Sequence, residues 1–310
     1  MNTQSSTVPA PPPAPPILAP SLSAEVRPLY WSVRRELWEN RSLYLAPMVV
    51  GGVVLFGLLL GTFRLPHRMR ELPSLPLEKQ DAAVAMPFSV LASLVIMTTI
   101  IVGALYCLDA LHGERRDRSI LFWKSLPVSD LTTVLSKAAV PLVVLPALGF
   151  ALSLVAQVLL LQVSTIVLRA AGPGPAILWN HLPFLQMTLV MLYGIVVHTL
   201  WHAPVYAWLL LLSAWARRVP FLWAILPPLL VCALEAMAFR THLFASYLGY
   251  RFIGPMKLAF DVEPGHGDIL HLTQLTPGRY LGTPGLWIGL VFAVAFLAAA
   301  VHLRRNREPI

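Results

Sequence analysis

Two histidines four residues apart, His198 and His202 in the segment HTLWH, form the most suggestive donor pair in the chain. On a helix that spacing puts both imidazoles on one face, where they could hold a metal or, with a further ligand such as His181, a haem. No Glu follows the first His as it does in H-E-x-x-H, and Trp201 stands beside His202. Packing or hydrogen bonding is therefore the simpler expectation for the pair. Glu235 is the one clear acid inside an apolar run, the kind of residue that marks a functional position in a membrane unless it snorkels outward or pairs with Arg240 or His242. Cys107 and Cys232 lie in apolar runs without a Cys-x-x-Cys partner, which favours packing over a disulfide or thiolate site. The sequence holds no G-x-x-x-x-G-K-[ST], so it cannot cradle nucleotide phosphates by that loop. Any use of ATP requires a separate ATPase chain.

Composition dictates what positions these residues. Of 310 residues 57% are apolar and 12% charged, against about 25% charged in soluble proteins. That balance describes an all-α integral membrane protein. The net charge of +8 is no sign of nucleic acid, because the basic residues sit at the ends of apolar runs, where positive-inside topology places them. Six runs, near 44–63, 87–108, 137–163, 184–214, 220–238 and 284–303, approach or exceed the roughly 20 helical residues that cross a hydrocarbon core of about 30 Å. An even number puts both termini on one side. With the termini in the cytoplasm, most Lys and Arg fall inside.

Residues 1–23, with the core PAPPPAPPILAP, are expected to form a disordered Pro-rich tail, leaving 24–310 as the transmembrane domain. A basic n-region is missing, so no signal peptide is expected and the first apolar run is kept as a span. From Val26 to about Tyr44 an apolar stripe of Val26, Leu29, Tyr30, Val33 and Leu37 faces away from Ser32, Arg35, Glu36 and Glu39. Trp31 and Trp38 flank the stripe, and Arg27, Arg34, Arg35 and Arg41 can meet anionic headgroups. The pattern predicts an amphipathic helix lying on the cytoplasmic surface of the membrane lipids.

Between the second and third runs lies a charged island, Asp109 to Lys137. It reads as a short helix with a basic first turn, an apolar middle and a stop at Pro127, followed by a new helix capped by Ser129. Such an island is a docking point. Pro141 and Pro146 should bend the third span, Pro204 the fourth, and Pro227 with Pro228 the fifth; in lipid these bends should face neighbouring helices or a cavity. The segment from Arg240 to Thr283 is too apolar for a linker and predicts one or two short helices folded back on the outer surface.

The order of these parts resembles the permease subunit of an ABC transporter of the type-2 exporter family, with the type V exporter fold. The resemblance rests on a surface helix ending in ELWENRSLYLAP, a second span running into ERRDRSILFWKSLPVS, a lysine opening the third span, the segment WHAPVYAWLLLLSAWARRVPFLWAILPP, and the ending TPGLWIGLVFAVAFLAAAVHLRR. It implies six spans per subunit and export across a bacterial inner membrane. It also implies two permease subunits, as a homodimer or with a paralogue, joined to two ATP-binding subunits that carry ATP and Mg. This chain itself would be no enzyme and bind no cofactor. By the same resemblance Glu114, Arg115, Arg116, Arg118, Ile120, Leu121, Phe122, Trp123, Lys124 and Leu126 belong to the cytoplasmic coupling helix seated on the ATPase. Arg27, Arg34, Arg35, Glu36 and Trp38 belong to the connecting helix. The second and fifth spans line the path, making Thr98, Thr99 and Glu235 its candidates; Thr98 and Thr99 are adjacent, so at most one looks inward. A membrane enzyme or redox protein built on His198 and His202, and an anchor that only recruits an ATPase, are the alternative readings.

Overall fold

A computed structural model describes residues 22–117, 128–171, 174–261 and 271–306, with side chains from residue 28 onward apart from 77 and 78. Six helices are long and apolar enough to cross a membrane: Ser42–Ser74, Lys79–Arg116, Asp130–Ala171, Phe184–Trp215, Pro220–Phe239 and Pro284–Asn306, here spans one to six. They cover the six apolar runs. Spans two and three are longer than their runs, because helix continues through polar ends such as Lys79, Gln80 and Asp81 that hydropathy does not select. Span three, at 42 residues, is about 63 Å long, twice a hydrocarbon core, and so projects beyond it.

Ser129 caps the start of span three as its sequence position predicts, its hydroxyl accepting from Thr132 N. Pro141 sits in a π-helical turn, Val140–Val144, where a missing donor is accommodated by one wider turn. The helices of spans four and five run through Pro204, Pro227 and Pro228. Spans four and six meet along small residues, Ala203 and Ala207 against Ala293; with Gly289 this gives a small-residue repeat of four on each helix, the spacing that lets membrane helices approach closely. Span five has no buried residue in the chain. It is bracketed by two non-glycine residues in the left-handed region, Val219 at φ 44° and Arg240 at φ 52°. Beyond it a helix of 17 residues, Leu243–Ala259, and a shorter one, Pro277–Leu281, form the folded-back segment, joined by an antiparallel bridge between Phe260 and Leu275.

The N-terminal helix, Leu22–Glu39, ends at Asn40, whose side chain donates to the Glu36 carbonyl. Glu36 is 0% and Ser32 8% exposed, whereas Tyr30, Trp31 and Trp38 are more than half exposed. The acidic face is turned into the bundle because cations wait for it there.

Candidate functional site

Those cations define one end of the molecule, the end that carries the charged island. Lys137, one turn into the apolar part of span three, donates to both oxygens of Glu36, at 2.9 and 3.0 Å, and lies 3.1 Å from Glu114 Oε1. Tyr106 of span two donates to Glu36 Oε2 at 2.7 Å, and Arg35 Nη2 to Glu36 Oε1 at 2.9 Å. Arg304, near the end of span six, bridges Glu114 Oε2 at 3.2 Å and Asp130 Oδ1 at 3.0 Å. Three carboxylates (Glu36, Glu114, Asp130) thus meet three cations (Arg35, Lys137, Arg304). Burial alone would push the Glu36 carboxyl up. The Lys137 charge and the hydrogen bonds from Lys137, Tyr106 and Arg35 outweigh it and hold the group below its ordinary value of 4.5. Glu39, at the rim, is raised instead, chiefly by burial.

A second set of bonds adds span four. Arg115 Nη1 donates to the carbonyl of Ala214 at 2.7 Å, and Ser213 Oγ accepts from Leu111 N and His112 N. The N-terminal helix and the near ends of spans two, three, four and six therefore form one cross-linked block on both sides of residues 118–127.

The coupling residues expected from the sequence divide accordingly. Arg118, Ile120, Leu121, Phe122, Trp123, Lys124 and Leu126 lie outside the described residues. Glu114 and Arg115 are turned inward onto their own chain, where Glu114 meets Lys137 and Arg304 and Arg115 donates to the Ala214 carbonyl. Arg116 is exposed beside Asp109 and Asp117. Of the connecting-helix residues, Glu36 and Arg35 belong to the block, and Arg34 stacks its guanidinium over both Trp31 and Trp38, at 5.1 and 4.7 Å from the ring centres. The backbone of Arg27 is helical, and its side chain is outside the described residues.

Farther along the bundle, spans two, three and four and the helix Leu243–Ala259 enclose a cavity of about 570 Å³. Pro141 and Pro146 line it, as the bends were expected to. Thr99 lines it and is buried, while Thr98 is turned to the half-exposed side, so one of the two threonines looks inward. Thr99 also presses on span three: a Cβ on Gly149 would stand 3.1 Å from its Oγ1, so a larger residue there would make Thr99 give way by a few tenths of an ångström.

His198 lines the cavity and lies 3.4 Å from Tyr206 OH. The two imidazoles stack, ring centres 4.0 Å apart, and His202 Nδ1 pairs with the His198 carbonyl at 3.0 Å. Stacked rings do not converge their nitrogens on a shared metal. Among the described residues no group of three His, Cys, Asp or Glu is placed to hold one. His181 is distant in role: it pairs with Asp81 at 2.8 Å.

Glu235 is not in the cavity wall. It reaches past the end of span five to accept from Thr241 Oγ1, Leu243 N and Phe244 N, at 2.7, 2.7 and 2.8 Å. It thereby serves the orphan donors at the start of the next helix. A further buried cation is Arg251, whose guanidinium lies over the Trp201 ring at 4.8 Å and donates to the carbonyls of Trp201 and Gly285, while Trp201 Nε1 donates back to the Arg251 carbonyl at 2.7 Å. A Cβ on Gly289 would fall 2.7 Å from Arg251 Nη1.

The acidic ring around Lys137 and the Arg251 clasp escaped sequence reasoning. A lysine placed inside an apolar run was the available signal, since it requires an acid brought from elsewhere. Compared with known protein families, curated proteins and solved structures, the chain matches none.

Proposed function

We propose that the chain is the membrane-spanning permease subunit of an ATP-driven ABC exporter of the type-2 kind. It would work in a bacterial inner membrane, termini inward, as a dimer with itself or a paralogue, coupled to two ATP-binding subunits that supply ATP and Mg. The observation that carries this reading is the cross-linked block flanking residues 118–127. A force applied by a partner to that segment would not dissipate in loose helix ends: ion pairs between Glu36, Lys137, Glu114 and Arg304 bind the ends into one lever. The π-turned third span leads from that lever to the cavity, and a bend between the two is where such a helix can hinge as a bundle rocks between two openings. The six long apolar helices and the resemblance of the segments quoted above point the same way.

Chain purified from its own membranes in mild detergent should bring with it a P-loop ATPase and vanadate-sensitive ATP hydrolysis. Phe122→Asp or Trp123→Asp should detach that ATPase while leaving membrane insertion intact, because an unpaired charge in a docked interface is strongly unfavourable. Full hydrolysis and co-purification in both variants would overturn the coupling assignment. A cysteine at Ser125 should be shielded from an impermeant thiol reagent applied from outside, and one at Thr276 should label; the reverse pattern would overturn the orientation.

A further inference from the structure

We propose that the cavity between spans two, three and four is a binding site, inside a single subunit, for an uncharged amphiphile with an apolar body and a hydroxyl-type head. The proposal goes beyond the exporter reading and does not depend on it.

Three observations identify the ligand class. First, the wall contains no Asp, Glu, Lys or Arg among the described residues, so an ionised ligand would enter a low-dielectric space without a counter-charge. Second, the wall is not purely apolar either: Thr99, Gln157, His198, Thr199 and Tyr206 contribute neutral hydrogen-bonding groups. Thr199 Oγ1 is buried with no hydrogen-bond partner among the described residues, and the His198–Tyr206 contact is long at 3.4 Å. Thr99 Oγ1 and Gln157 Nε2 already donate to the Ile96 and Phe88 carbonyls, so Thr199 and the loosely paired His198 and Tyr206 are the groups a hydrocarbon would leave unserved; a hydroxyl, which both donates and accepts, can serve them. Third, the rest of the wall is adaptable. Met97, Met187, Met191 and Met256 line it, and unbranched thioethers fit themselves to irregular apolar shapes. The size, about 570 Å³, falls within the range of small-molecule sites, and the exposed Met97 at its margin leaves a mouth on the outer surface of the helices.

The test uses one alkyl chain carrying a diazirine and ending in a hydroxyl, a carboxylate or a trimethylammonium group, photolysed with the full chain in detergent micelles and mapped by mass spectrometry. The hydroxyl probe should label the peptides of Met187 and Met191 saturably, at least about tenfold more tightly than either charged probe. Gly194→Leu, which adds bulk to the wall from a position whose Cβ would meet Phe260 Cζ at 3.5 Å, should abolish that labelling. Thr199→Val, isosteric and free of any bond to lose, should weaken the hydroxyl probe several-fold, and Thr199→Ser should not. Labelling that does not saturate, or is no stronger there than on span five, would overturn the site. Equal labelling by the charged probes, or an unaltered Thr199→Val with a wild-type gel-filtration profile, would overturn the ligand class.

Discussion

Lys137 and Arg251 are similarly inaccessible, 2% and 7% exposed, and they are held by opposite means. Lys137 is met by two carboxylates, and the cluster around it sums to neutrality. Arg251 is met by carbonyl dipoles and an indole face; among the described residues no carboxylate pairs with it. A charge matched by charges makes a joint that is costly to open, and it ties together the end of the molecule where the N-terminal helix meets spans two, three and six. A guanidinium matched by dipoles can exchange partners one at a time, since its planar fork offers five donors. It clasps the folded-back helix to spans four and six without locking it to either.

The largest effect should come from Lys137→Met. It leaves Glu36 and Glu114 buried beside each other and should lower stability by about 3–5 kcal/mol, read as loss of the monodisperse peak on heating. Adding Glu36→Gln should restore part of the loss, because the two sites are coupled. Arg251→Met should cost less, about 1–3 kcal/mol, the scale of carbonyls left without a donor; a loss equal to that of Lys137→Met would erase the distinction between the two cations.

A pH series sharpens the same contrast. The Glu36 carboxyl is held below 4.5 in the fold, so its contribution is complete above that value and disappears as pH falls through the folded one. The melting difference between the wild type and Glu36→Gln should be greatest near neutrality and shrink under acid, whereas that between the wild type and Arg251→Met should not shrink in this window. Glu235→Gln should do least: the amide oxygen still accepts one of the helix-start donors, so melting should fall only slightly.

The membrane helices were legible in the sequence because twenty apolar residues have few other destinies, and the Ser129 cap because its chemistry is local. The partition of Thr98 and Thr99 followed from helical geometry alone. The face of the N-terminal helix was not legible. Glu36 and Lys137 are separated by 101 residues, and the amphipathic pattern reports only that two faces differ, without saying which meets protein. The bonds of Glu235 were not legible for a related reason. Its three donors lie six to nine residues ahead, across a turn, and read from the sequence it was simply an acid in an apolar run.

The π-turn at Val140–Val144 lets one helix keep two appointments. An inserted residue offsets everything beyond it by about 100° and 1.5 Å relative to an unbroken α-helix. Lys137 below the turn addresses the acids, and Leu145 and Pro146 above it address the cavity. In an uninterrupted helix those two azimuths would be mismatched by over a quarter of a revolution. Deleting Leu142 or Val143 would regularise the backbone and send one of the two faces astray.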